Sequence, residues 1–255
     1  MNTTFQDLRK GFNLFKFNTK LLLGGAYFTL LGKKTKKFDG VEILVPYEFT
    51  DIWLRGQIQV NFYEKRERRH LKKYLEPESS VLELGGCLGV VSCVTNRLLR
   101  HPERHVVVEA NPKLAPWIEK NKAHTGSSFT VENCILSNRA SNEFYIGPNI
   151  LESSTHRKWQ EKITVTGKTV DELERAHGLK FDTLIMDIEG AELNFLRENR
   201  QWLRQLHTVI LEIHPGKENL SVEEVAECRA ILETAGLQIK VVDGLIWVLK
   251  RTTAH

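Results

Sequence analysis

The densest chemistry in the sequence lies in LIMDIEGAELNFL, residues 184–196, where an apolar run ends in Asp187, Glu189 and Glu192 around Gly190. Strand periodicity places Asp187 and Glu189 on one side as the chain leaves a sheet. Glu192 falls in the first turn of a following helix, where the positive dipole end favours a carboxylate. Carboxylates at a strand end can orient an acceptor hydroxyl or take its proton. His214, in VILEIHPG, is a third candidate base, set against the plainer reading of a histidine closing a strand end before Pro215. Asp187, Glu189 and His214 also make a plausible donor set for a divalent ion. The sequence offers no further ligand, and no metal is expected.

A second constellation is VLELGGCLGVVSCVTNRLL, which starts at Val81. Gly85, Gly86 and Gly89, with Cys87 among them, mark a strand-to-helix turn where backbone N–H groups can approach a ligand. The spacing is not the G-x-G-x-x-G of a dinucleotide fold. Glu83 stands two residues before the first glycine. An acidic side chain there would repel a pyrophosphate and suits a ligand bearing an amino group and a sulfonium. The run is similar to the [DE]-x-G-x-x-x-G motif of class I S-adenosylmethionine-dependent methyltransferases. Glu109, followed by Ala110 in VVVEANP, ends the next strand, where a carboxylate can accept from a ribose diol in either cofactor class. Taken with Glu83, it favours the sulfonium ligand. Asn133 and Cys134 end a third strand and border the expected adenine site, although an asparagine there also serves a turn.

These residues need a scaffold that gathers strand ends. Short apolar runs at Val81–Leu84, His105–Glu109, Phe129–Leu136, Phe181–Asp187 and Thr208–Ile213 alternate with helical spacing at Val90–Arg100, Lys113–His124, Ala191–Leu206 and Val222–Ala235. Such alternation implies an α/β fold with a mainly parallel sheet covered on both faces. LQIKVVDGLIWVLK, with Asp243-Gly244 between two β-rich runs, predicts a C-terminal antiparallel hairpin. Gln57–Leu75 reads as one basic helix ended by Glu76-Pro77. Two regions result: an N-terminal helical extension, 1–56, and a cofactor-binding domain, 57–255.

Composition sets the outer bounds. The 255 residues, 41% hydrophobic and 27% charged, suit a globular chain. A net charge of +4 is too weak to argue for nucleic acid. The basic run at residues 65–73 also lacks the interleaved aromatics that stack bases. None of Cys87, Cys93, Cys134 and Cys228 forms a C-x-x-C pair, which points to a reduced, cytoplasmic setting. LLLGGAYFTLL, residues 21–31, is far shorter than the roughly 20 apolar residues that span a bilayer. Flanked by lysines, it is either packed on the domain or laid on an anionic membrane face.

In order along the chain come Tyr63-Glu64, VLELGGCLG, VVVEANP, ENCILSN, Ser153-Ser154, TVDEL, FDTLIMDIEGAEL and VILEIHPG. Together they resemble the FkbM family of S-adenosylmethionine-dependent methyltransferases over residues 60–250, with the D-[IV]-E-G-A-E signature intact. Members commonly carry asparagine where Cys87 stands, so binding there is expected through the backbone. The resemblance implies a class I methyltransferase Rossmann-like sheet and S-adenosyl-L-methionine as cofactor. It also implies methylation of a hydroxyl on a small molecule or glycan, notably a sugar of surface polysaccharide or glycolipid. Ser153, Ser154 and His156, with Glu192, would then line the acceptor site. Two rivals stand beside it: a non-catalytic cofactor-fold partner in a glycosyltransferase complex, and an NAD-dependent sugar-modifying enzyme.

Overall fold

The structure is a computed structural model that describes residues 2–147, 161–216 and 219–252, with side chains from residue 14 onward. The chain opens with a long helix α1 (Asn2–Leu30), a hairpin of β1 (Thr35–Phe38) and β2 (Val41–Leu44), and a short helix α2 (Ile52–Gln59). The Gly24-Gly25 pair lets α1 and α2 cross in backbone contact. A Cβ on Gly25 would lie 1.9 Å from the Ile52 carbonyl oxygen, and one on Gly56 would lie 2.0 Å from that of Leu21. The inner side of this arm joins the domain core. Phe28, Phe38, Ile43 and Ile58 pack with Val90, Val94, Ile118 and Phe129 in one buried cluster.

The single helix expected over Gln57–Leu75 is broken. A turn at 60–64 separates α2 from α3 (Lys65–Tyr74), with Asn61 and Glu64 in the left-handed region at φ 59° and 47°. The break has a physical cause in the next helix, α4 (Val90–Leu98): the Glu64 carboxylate leaves the helical path to accept the Val91 N–H at 3.2 Å.

The central sheet begins with β3 (Val81–Leu84), β4 (His105–Val108) and β5 (Thr130–Glu132), with α5 (Ala115–Thr125) between the last two. β6 (Ile135–Leu136), β7 (Ser141–Ile146) and β8 (Glu161–Lys168) leave that sheet and form a separate three-stranded one. The chain then returns through α6 (Val170–His177), β9 (Thr183–Met186), α7 (Glu192–Glu198), β10 (Thr208–Glu212), α8 (Val222–Thr234), β11 (Leu237–Asp243) and β12 (Ile246–Arg251). The seven-stranded order is β11-β12-β10-β9-β3-β4-β5. β10, β9, β3, β4 and β5 are parallel, and β12 pairs antiparallel with both β10 and β11. Every residue of β3, β4 and β9 is buried, as a sheet covered on both faces requires.

The expected mainly parallel α/β sheet with a terminal hairpin is therefore present. Other expectations need correction. The strand expected over Phe129–Leu136 is two strands in two sheets, because the Asn133 amide turns back to donate to the carbonyls of Glu109 (2.7 Å) and Ala110 (3.3 Å). The helix expected over Ala191–Leu206 stops at Glu198, where the Asn199 amide caps the Phe195 carbonyl at 2.8 Å; a 3-10 turn, Trp202–Gln205, follows. β7, β8 and α6 were not anticipated, although Thr169 and Glu172 form a capping box that marks the start of α6.

Candidate active site

In open parallel sheets, ligands gather at strand carboxyl ends where the connections change direction. Here that point lies around β3, flanked by β4 on one side and β9 on the other. A cavity of about 890 Å³ opens there. Its floor is the turn after β3 and the turn after β9, which touch. The Gly85 N–H donates to the Val108 carbonyl and the Asp187 N–H to that of Leu84, each at 2.9 Å.

Among the predicted site residues, Gly85, Cys87, Glu109, Ala110, Cys134, Asp187, Glu189 and His214 all line this cavity. The structure places five others elsewhere. Glu83 is fully buried beneath α4, bonded by the Ser92 hydroxyl and 3.1 Å from His105 Nε2, so it is a core carboxylate behind the loop. Gly86 packs beneath α5; a Cβ on it would lie 2.6 Å from Ile118 Cδ1. Gly89 caps the start of α4. Asn133 spends its amide on the end of β4, as described above. Glu192 is wholly buried, accepting from the Gly190 N–H at 3.0 Å and lying 2.8 Å from His214 Nδ1, so it holds the histidine from behind. Ser153, Ser154 and His156 lie outside the described residues.

The cavity is acidic. Beyond the expected carboxylates it gathers Glu64 and Glu67 from the start of α3, Glu143 from β7, Glu198 from the end of α7 and Glu212 from β10, against Arg139 and His214 as the cationic lining groups. Glu212 was legible: it sits two residues before His214, and strand period two puts both on one side. Glu64 and Glu67 were hidden by the assumption of one continuous helix. Backbone strain collects here too. Glu64, Cys87 and Glu189 line the pocket at φ 47°, 47° and 50°, a region that side chains of their kind seldom adopt.

Glu109 organises the glycine-turn side of the cavity. Its carboxylate accepts from the Cys87 N–H at 2.9 Å and the Asn111 N–H at 2.7 Å, tying the glycine turn to the end of β4. Burial raises its pKa, and the backbone donors of Asn111, Cys87, Gly86 and Ala110 pull it back. The Tyr63 hydroxyl, also in the wall, donates to Cys87 Sγ at 3.2 Å.

On the opposite side, Asp187 is the perturbed group nearest the turn. Desolvation lifts its carboxyl to about 8, helped by Glu189, Glu67 and Glu192 and opposed by His214. Its side chain is still 37% exposed into the cavity. Oδ1 has no hydrogen-bond partner among the described residues; His214 Nε2 stands 3.5 Å from it and 3.7 Å from Glu189 Oε2. Burial also lifts Glu212, to about 9, reinforced by the Glu67 carboxyl and the Asp187 charge. Burial alone would push His214 down. The hydrogen bond that its ring donates to Glu192 and the charges of Asp187, Glu192 and Glu189 override it and raise His214 to about 10. These neighbours favour the imidazolium form of His214 over the neutral form that a base requires.

That preference makes a prediction. His214 is the group that pulls the Asp187 pKa down, so His214→Gln should move the rising limb of the pH profile for kcat/KM to higher pH. An unmoved or acid-shifted limb would contradict the assignment. The same region offers a metal-ligand geometry. One atom each from Asp187, Glu212 and His214 lies within 4.8 Å of the others, with Glu212 in the place expected of Glu189.

A mainly parallel sheet in this order, a glycine turn after its central strand and an acidic pocket at the switch point define a class I S-adenosylmethionine-dependent methyltransferase. Comparison with known proteins identifies the group within it. The profile of the methyltransferase FkbM domain matches residues 83–239. The chain belongs to the FkbM methyltransferase family, and its methyl donor is S-adenosylmethionine. Solved structures of similar shape include magnesium protoporphyrin IX methyltransferase from Synechocystis PCC 6803, with 13% identity, 80% of this chain and 86% of that chain covered, and a TM-score of 0.49. Ribosomal protein L11 methylase from Lactobacillus delbrueckii subsp. bulgaricus gives 12%, 76%, 81% and 0.46 for the same quantities. Fibrillarin from Aeropyrum pernix, in complex with S-adenosyl-L-methionine, gives 15%, 72%, 74% and 0.44. Curated proteins include no match.

The pocket residues fit this donor. A wall rich in carboxylates suits a ligand carrying a sulfonium and an ammonium, and would repel the pyrophosphate of a dinucleotide. Glu109, at the end of the second parallel strand, has the position from which a carboxylate accepts from ribose hydroxyls. The donor supplies a methyl group on positively charged sulfur.

Proposed function

We propose that the protein is an O-methyltransferase acting on a hydroxyl of a small molecule or glycan, and that its acceptor is a sugar of surface polysaccharide or glycolipid assembly. The observation that carries the chemistry is Asp187. It is a carboxylate with a buried oxygen that makes no hydrogen bond to the described residues and a pKa lifted to about 8, at the turn that touches the glycine loop. A hydroxyl attacks carbon well only as its proton leaves, and a base with a pKa near the working pH serves best. Asp187 takes that proton. Glu189 and Glu212 orient the hydroxyls beside it; paired carboxylates suit the vicinal diols of a sugar. His214, protonated and held by Glu192, keeps Asp187 ionisable and in place. Gly85, Cys87, Ala110, Glu109 and Cys134 form the donor side. The setting that we infer is cytoplasmic, with peripheral contact to the inner face of a membrane.

Two measurements test this reading. Calorimetry with S-adenosylmethionine should show at least about a tenfold loss of affinity for Glu109→Ala, since the variant leaves the Cys87 N–H without its acceptor and the loop unanchored. Wild-type affinity in that variant would remove Glu109 from the donor site. A screen of glycans with labelled methyl donor should yield a methyl ether that survives alkaline hydrolysis. A labile ester or a methylamine as the only product would replace the O-methyl assignment.

A further inference from the structure

We propose that the outward face of α1 is a docking surface for an anionic lipid bilayer, with the helix lying in the plane of the membrane. The helix has two faces. Leu21, Gly25 and Phe28 are buried on the side that packs toward α2 and the domain. At 3.6 residues per turn, Phe15, Leu22, Leu23, Tyr27 and Leu30 fall on the other side. They are 68%, 41%, 65%, 50% and 86% exposed, respectively. A helix packed on a soluble domain presents polar residues outward. Single exposed apolar side chains are ordinary, but a stripe of five along one helix face marks an interaction surface.

Charge identifies the occupant. No acidic residue occurs between Asp7 and Asp39, a stretch that carries Arg9, Lys10, Lys16, Lys20, Lys33, Lys34, Lys36 and Lys37. Lys16 and Lys20 share the outward face with the apolar stripe, and Lys33 and Lys34 follow the end of the helix, with Lys33 Nζ 4.7 Å from the Tyr27 ring centroid. Apolar side chains that enter the acyl boundary beside lysines that meet anionic headgroups are the pattern of an interfacial helix. A second copy of the chain would bring the same cations face to face across a symmetry axis. Spanning is excluded for the described residues, since none of their helices is long and apolar enough to cross a membrane.

The crossing of α1 and α2 that holds this surface rests on Gly25 and Gly56, and α2 also supplies Gln57 to the pocket wall. Docking through the outward face of α1 would use no group to which a catalytic part is assigned.

The test is sedimentation of the full-length protein with vesicles of phosphatidylcholine alone, or with about one-third phosphatidylglycerol. Wild type should sediment with the anionic vesicles at least about tenfold more than with the neutral ones, and less at high salt. The double variant Leu23→Ser with Leu30→Ser, and the double variant Lys16→Glu with Lys20→Glu, should each lose most of that binding. Both should keep donor affinity and Tm, because all four side chains lie outside the core. No anionic binding by wild type, equal binding to neutral vesicles, or full binding by both variants would overturn the proposal. A dimer in solution that the leucine variant dissociates would also overturn it, assigning the face to a second copy.

Discussion

Asp187→Asn is expected to lower methyl transfer by about a hundred- to ten-thousandfold while leaving S-adenosylmethionine affinity within a few-fold of wild type. The substitution keeps size, shape and the Asp187 N–H bond to Leu84, so the turn after β9 should hold. What it removes is the one pocket carboxylate with a buried oxygen that has no hydrogen-bond partner among the described residues. An amide cannot accept the hydroxyl proton, and its NH₂ would turn a donor toward the acceptor oxygen. The pH dependence gives an independent check. A base must be ionised to act, so kcat/KM of wild type should rise with pH through about 8, the value to which burial lifts this carboxyl. In Asp187→Asn that limb should vanish from whatever residual rate remains. Glu189→Gln and Glu212→Gln should raise the acceptor KM more than they lower kcat, because their proposed part is orientation. Full turnover in Asp187→Asn, with the same rising limb, would move the chemistry to another group.

The residues that were legible in advance are those whose positions follow from backbone periodicity. The strand ends at Leu84, Val108, Met186 and Glu212 could be read from apolar runs, and with them the gathering of Cys87, Glu109, Asp187 and His214 around one cavity. What a one-dimensional pattern does not carry is which side of a strand end faces ligand and which faces another helix. Glu83 and Glu192 share a motif with true pocket residues, yet each is fully buried and bonded from behind: by Ser92 and His105 for one, by Gly190 and His214 for the other. The protonation of His214 was likewise invisible. It depends on three carboxylates of the turn after β9 meeting a histidine that follows β10, and only the folded chain sets those distances. The missed wall residues Glu64 and Glu67 trace to a helix break whose cause, the Val91 N–H, lies in a different element.

Gly85→Ala should destabilise the fold by about 3 kcal/mol or more and abolish detectable donor binding, from the addition of a single methyl group. Two costs coincide at this position. Gly85 has φ 89°, a conformation that penalises any Cβ, and the added carbon would lie 1.8 Å from the Asp187 carbonyl oxygen. That oxygen is backbone, so it cannot swing aside as a side-chain tip would; the turns after β3 and β9 must part. Parting them loosens the Asp187 N–H to Leu84 and Gly85 N–H to Val108 bonds, which seat the proposed base and the glycine turn against each other. Gly126→Ala separates the conformational cost from the clash. Gly126 also has positive φ, at 68°, but nothing lies within 4 Å of its added Cβ. That variant should lose only about 1 kcal/mol and keep both donor binding and turnover. Thermal unfolding with and without S-adenosylmethionine measures both variants. If Gly85→Ala melted as Gly126→Ala does and still gained stability from the donor, the contact between these two turns would not be what positions the site.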